Sequence, residues 1–142
     1  STVSAAAETV LPLAGLHLLL AEDNELNSEI ATALLEEQGA SITAVENGRL
    51  ALEAIQNAAP RTYDAILMDV MMPKMNGLEA TRCIRAFEGK GPGEGTPIIA
   101  MTANVFADDV KACLAAGMNS HVGKPLDMKV LIGEILKYTN AR

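Results

Sequence analysis

The sequence predicts an α/β fold in which a five-stranded parallel sheet is doubly wound by five helices, and three observations predict it. Five short segments are apolar throughout rather than alternating, as strands buried on both faces are. Each is followed by a stretch whose apolar residues recur at helical spacing. The pattern fills one domain's length, 142 residues, which suffices for a single sizeable core.

Residues 1–14, rich in Ala, Ser and Thr with Pro12 near their end, read as a flexible leader or linker; the folded domain is expected over residues 15–142. Leu16 to Ala21 is the first strand, closed by Glu22-Asp23-Asn24, a sequence suited to opening a helix. Leu26, Ile30 and Leu34, at i+4 steps, mark the inward stripe of that helix, and Gly39 ends it. Ile42 to Val45 is the second strand. Asn47 caps a helix with the stripe Leu50, Ala51, Ala54, Ile55 and Ala58, stopped by Pro60. Asp64 to Asp69 forms the third strand, followed by a turn with Pro73 and Gly77 and a helix over 78–87. Gly89 to Gly95 reads as a surface loop and Pro97 to Thr102 as the fourth strand. Phe106, Val110, Cys113 and Leu114 mark one face of the next helix. A fifth strand falls near Met118 to Val122, and Leu131, Ile135 and Tyr138 line the last helix. Right-handed crossovers with helices on both faces lead to the flavodoxin-like strand order 2-1-3-4-5, in which ligands bind at the carboxyl ends of the strands.

Composition narrows the function. Eighteen acidic against 11 basic residues give a formal charge of -7, which repels nucleic-acid backbones and anionic membrane surfaces, and the 3% aromatic content leaves little for base stacking. Val10 to Ala21, interrupted by Pro12, Gly15 and His17, is too short to span a bilayer and lacks the basic flank of a secretory signal. Cys83 and Cys113 lack zinc-site spacing and read as reduced packing residues of a cytoplasmic protein. The chain opens on Ser1 and is expected to be part of a longer protein.

The strand ends carry the chemistry. Glu22 and Asp23 follow the first strand, Asp69 the third, Thr102 the fourth and Lys124 the fifth. Neighbouring strands lie about 4.8 Å apart, so these side chains converge. Three adjacent carboxylates call for a counter-cation, and all-oxygen donors favour Mg²⁺ over Zn²⁺. A cation, an ammonium and a hydroxyl around one carboxylate describe a phosphoryl-binding pocket. No nucleotide-binding fingerprint competes: Gly89-Lys90 and Gly123-Lys124 lack the upstream glycine of a phosphate loop.

Leu20-Ala21-Glu22-Asp23-Asn24, Met68-Asp69-Val70-Met71-Met72-Pro73, Met75-Asn76-Gly77, Met101-Thr102-Ala103 and Lys124-Pro125 resemble the response-regulator receiver domain of two-component signalling, over residues 16–139. The resemblance implies that Asp69 is the phosphoacceptor, taking its phosphoryl group from a phosphohistidine on a histidine kinase core or a histidine phosphotransfer protein. It implies Mg²⁺ on Asp23 and Asp69, with Glu22 acting through water and Met71 through its backbone carbonyl. Lys124 and Thr102 would bind phosphoryl oxygens, Thr102 moving as part of a switch, and Lys124-Pro125 would be a cis peptide. The wording around Ala21 to Asn27, Met101 to Asn104 and Ala116 to Asn119 is most similar to receivers of hybrid sensor histidine kinases, so the parent chain is expected to be such a phosphotransferase, itself anchored in the membrane or not. His121 stands where the family has a switch aromatic.

Taken singly, these residues have ordinary explanations: Glu22-Asp23-Asn24 as a helix cap, Asp69 as a turn cap, Lys124 as a loop charge, the methionines as packing and His17 as a hydrogen-bonded structural histidine. Two other functions share parts of the pattern. An aspartate-nucleophile phosphatase would carry a second Asp two positions on, where Met71 stands. A receiver-like interaction module without phosphorylation would have no use for Asp23, Asp69, Thr102 and Lys124 together. With apolar Met71 and Asn104 flanking the place of a hydrolytic water, slow phosphate loss is expected.

Overall fold

The structure, a computed structural model, describes residues 10–103 and 106–140. The five apolar runs become β1 (His17–Ala21), β2 (Ser41–Val45), β3 (Ala65–Asp69), β4 (Ile98–Thr102) and β5 (Ser120–Gly123). Between and after them lie α1 (Glu25–Glu37), α2 (Gly48–Asn57), α3 (Gly77–Glu88), α4 (Ala107–Ala116) and α5 (Met128–Thr139). All strand pairs are parallel and the order is β2-β1-β3-β4-β5. The continuous apolar runs have the cause inferred from them: β1, β3 and β4 are central, and Leu18 to Leu20, Ala65 to Met68 and Ile98 to Ala100 lose all solvent contact. Burying each Leu or Ile side chain in this way contributes roughly 1.5–3 kcal/mol.

Strand alternation splits the core into two layers. Leu18, Leu20, Leu67, Ile99 and Met101 pack against Ala31, Leu35, Leu131 and Ile135 of α1 and α5. Leu19, Ile66, Met68, Ile98 and Ala100 pack against Ala51, Ala80, Ile84 and Cys113 of α2, α3 and α4. Asparagine side chains cap three helix starts, Asn24 from Asn27 N–H, Asn47 from Leu50 N–H and Asn76 from Glu79 N–H, each at 2.9 Å. His17 Nε2 lies 2.7 Å from Thr43 Oγ1, and its ring packs on Tyr63, giving the histidine its structural role. Both cysteines are free thiols. Among the described residues no helix is long and apolar enough to cross a membrane.

Three expectations need correction. Leu13, placed by sequence in the leader, is wholly buried in the α1–α5 layer, and its N–H donates to Gln38 O at 2.8 Å. The ordered domain therefore includes residues ahead of Gly15, Leu13 joining Leu18 and Leu20 in the layer against Ala31 and Leu35. The α1 stripe also points the other way: Leu26, Ile30 and Leu34 are 63%, 51% and 37% exposed, while Ala31 and Leu35 face the sheet. One residue's shift rotates the face by about 100°, and the helix carries apolar residues on both sides. On α4, likewise, Cys113 and Ala116 are buried whereas Phe106 and Leu114 are exposed.

Candidate phosphoacceptor and metal site

Each site residue sits at or just past the carboxyl end of a strand because a buried apolar run can end in a charge only where the sheet meets solvent. Glu22 follows β1, its N–H bonded to Val45 O on β2 at 3.0 Å. Its side chain is buried: Oε2 accepts from Asn24 N–H at 3.1 Å, and Oε1 lies 2.9 Å from Lys124 Nζ. Asp23, beside it, is exposed. Asp69 ends β3 and is buried, with Oδ2 3.3 Å from Lys124 Nζ and Oδ1 accepting from Met71 N–H at 3.3 Å. Behind Asp69 stands Gly77, where an added Cβ would lie 2.3 Å from the Asp69 carbonyl oxygen, so α3 can start against the strand end only as glycine.

Carboxylate oxygens of Glu22, Asp23 and Asp69 all lie within 4.8 Å of one another. At that spacing ionised pairs repel by roughly 3 kcal/mol each at an effective dielectric of about 20. Lys124 is one positive charge against three. Asp69 shows the consequence: burial, then the Glu22 charge, push its carboxyl up from 3.8 to about 6, against the pull of Lys124. For Glu22, burial is outweighed by the hydrogen bonds from Lys124 and Asn24, and its carboxyl is held below the ordinary value. Lys124 Nζ lies nearer Glu22 than Asp69 and so favours the charged form of Glu22 more. Lys124 is held protonated, its acidic partners outweighing its burial.

Lys124 bridges Asp69 and Glu22, with Glu22 nearer. The Lys124–Pro125 peptide is cis. Thr102, buried, ends β4, and its carbonyl accepts from Lys124 N–H at 2.8 Å. His121 is half-buried and pairs with Ala100, so alternation puts its side chain on the sheet face that Thr102 also uses. The Met71 side chain is exposed, and Asn104 lies outside the described residues. With oxygen donors alone, the cluster suits a hard divalent cation such as Mg²⁺. The Glu22–Lys124 bridge, formed across 102 positions, has no local sequence signal.

The response regulator receiver domain family matches residues 18–136. The chain belongs to this family. The receiver domain is 38% identical over 122 residues to the sensor protein GacS of Pseudomonas syringae pv. syringae, covering 86% of this chain and 13% of GacS. It spans about one seventh of the length of the curated relatives it matches. Among solved structures it is similar to the receiver domain of sensor histidine kinase PA1611 from Pseudomonas aeruginosa PAO1, which has a magnesium ion coordinated in its active site cleft. The two are 38% identical with a TM-score of 0.77, over 89% of this chain and 99% of the other. A second similar structure is the co-crystal of the Saccharomyces cerevisiae histidine phosphotransfer protein Ypd1 with the receiver domain of Ssk1. There the identity is 25% and the TM-score 0.80, over 90% of this chain and 91% of the other.

Proposed function

We propose that this receiver domain accepts a phosphoryl group on Asp69 from a phosphohistidine, with Mg²⁺ as cofactor, and so switches or relays a two-component signal in the cytoplasm. The observation that carries this reading is the meeting of Glu22, Asp23 and Asp69 with Lys124 at the carboxyl ends of β1, β3 and β5. An Asp69 carboxylate oxygen attacks phosphorus; the P–O bond forms as the P–N bond breaks, and the imidazole leaves with that electron pair. Asp23 and Asp69 would hold Mg²⁺ directly, Glu22 through water and Met71 through its backbone carbonyl. When bound, the ion supplies divalent charge against the phosphoryl oxygens. Lys124 turns from Glu22 and Asp69 to one phosphoryl oxygen and Thr102 donates its hydroxyl to another. His121, on the same sheet face as Thr102, registers that movement.

The partner is a histidine kinase core or a histidine phosphotransfer protein, and the outward stripe of Leu26, Ile30 and Leu34 supports this. Ile30 and Leu34 border a groove of about 510 Å³ that also takes in Glu22 and Lys124, so an apolar helix seated there would lie beside the acceptor. The relatives' names support a parent chain that is a sensor histidine kinase.

Incubation with Mg²⁺ and acetyl phosphate, followed by intact mass measurement, tests the reading. One base-labile phosphoryl addition is expected. No addition identifies a non-phosphorylated interaction module, and continuous phosphate release identifies a phosphatase. Met71 cannot orient a hydrolytic water with its side chain, so the phosphorylated form persists well beyond seconds at neutral pH; decay within seconds contradicts this. Lys124→Met separates two effects of one charge. Removing a cation beside three acids tightens Mg²⁺ binding about tenfold, while losing the phosphoryl contact slows phosphorylation about 100-fold. Calorimetry and phosphorylation time courses read the two; equal losses in both contradict the assignment.

A further inference from the structure

Gly48 opens α2, an element that supplies none of the site residues, yet it lies against the loop that leaves the phosphoacceptor strand. Its N–H donates to Met75 O at 3.0 Å. A Cβ at this position would stand 2.4 Å from the Met75 carbonyl oxygen, 2.9 Å from Ala80 Cβ and 3.0 Å from the Asn76 carbonyl oxygen. Two of these atoms are backbone, so no side-chain rotation relieves the clash. The approach is itself held in place: Asn47, buried, caps α2 by accepting from Leu50 N–H, and Asn76 caps α3.

The loop needs such a support. Lys74 adopts φ 66, a left-handed conformation that costs free energy for a residue with a Cβ. At its near end the loop is tied by Val70 N–H to Met101 O at 3.2 Å and by Met71 N–H to Asp69 Oδ1. Farther along, Gly48 N–H ties Met75 O to α2, while α3 holds the end of the loop through Ala80 N–H to Asn76 O at 3.0 Å.

We propose that Gly48 is a positioning residue for phosphoryl acceptance. Its bare Cα and its N–H fix the Met75 end of the loop, so that the Met71 carbonyl and the Asp69 carboxylate keep one arrangement for the metal. This rests on the receiver reading above. By linkage, a contact that favours the metal-binding loop is in turn favoured by the metal.

Gly48→Ala tests it, with Gly133→Ala on α5, where a Cβ meets nothing within 4 Å, as the control. Calorimetry gives the Mg²⁺ affinity, and acetyl phosphate at saturating Mg²⁺ gives the phosphorylation rate. In Gly48→Ala the Mg²⁺ affinity is expected to fall about tenfold, with a slower rate that saturating metal largely restores. Gly133→Ala is expected to leave both unchanged. A Gly48→Ala protein that melts lower but keeps affinity and rate within about twofold of the parent overturns the proposal, since ordinary destabilisation moves neither. Should the variant not fold, amide exchange of Gly48 in the unaltered protein decides: slowing on Mg²⁺ saturation supports the contact, and no change overturns it. If the unaltered protein neither binds Mg²⁺ nor takes up phosphate, the receiver reading fails first. Gly48 alone fails when the parent is phosphorylated and the variant matches it.

Discussion

Replacing Asp69 with Asn abolishes phosphoryl uptake and, in the same step, stabilises the metal-free protein at neutral pH by up to roughly 3 kcal/mol. The first effect follows from loss of the attacking carboxylate. The second follows from burial beside Glu22, which raises the Asp69 carboxyl from 3.8 to about 6. The folded protein then binds this proton more tightly than the unfolded chain. The associated stability is complete below the unfolded value and is lost as pH rises through about 6. Metal-free protein should therefore become more stable from pH 7 towards pH 5, whereas Asp69→Asn stays nearly level. Further acidification costs stability in both, because the depressed Glu22 carboxyl must then be protonated. Mg²⁺ should reverse the ranking at pH 7 by stabilising the parent more than the variant. Urea denaturation followed by circular dichroism at pH 7 and pH 5 measures all of this; a metal-free parent whose midpoint falls between those values contradicts it.

Arg85→Met destabilises the fold by about 3–5 kcal/mol while leaving phosphorylation of the folded protein unchanged. Arg85 is buried in α3, and its guanidinium binds four partners: Gly117 O at 2.9 Å, Thr96 O at 2.8 Å, Asn119 Oδ1 at 2.9 Å and Glu88 Oε1 at 3.0 Å. Asn119 extends the knot, accepting from Ile98 N–H and donating to Pro92 O, so that loop 89–95, the start of β4 and the end of α4 share one set of bonds. Methionine fills the volume but leaves the Glu88 carboxylate, whose side chain is only 14% exposed, without its cation. Thermal melting should show a drop of about 10 °C or more, and acetyl phosphate should label the surviving folded fraction at the parent's rate. A drop smaller than a few degrees sinks the prediction.

The strands and their terminal charges were legible because a central parallel strand has no solvated face, so its apolar run is unbroken until the site begins. Asp69 and Thr102 could be found by where the runs ending at Met68 and Met101 stop. The inward face of α1 was not legible in the same way. Leu26, Ile30 and Leu34 match the helical period as well as Ala31 and Leu35 do, and only the tertiary layer, with Leu13, Leu18 and Leu20 in it, distinguishes them. Arg85 was hidden for another reason: two of its four partners are backbone carbonyl oxygens, which any residue supplies, and Asn119 is 34 positions away. A cation next to Ile84 on an apolar helix face was the available sign. The Gly48 contact, likewise, is made with backbone.

The anchoring of Leu13 fixes where the described chain enters the fold. Its bond to Gln38 lies at the amino-terminal pole of the sheet, and Tyr138, near the end of α5, donates to Asn119 O at the same pole. Both ends of the described chain thus lie at the pole opposite Glu22, Asp23 and Asp69, leaving the approach to that cluster clear of both.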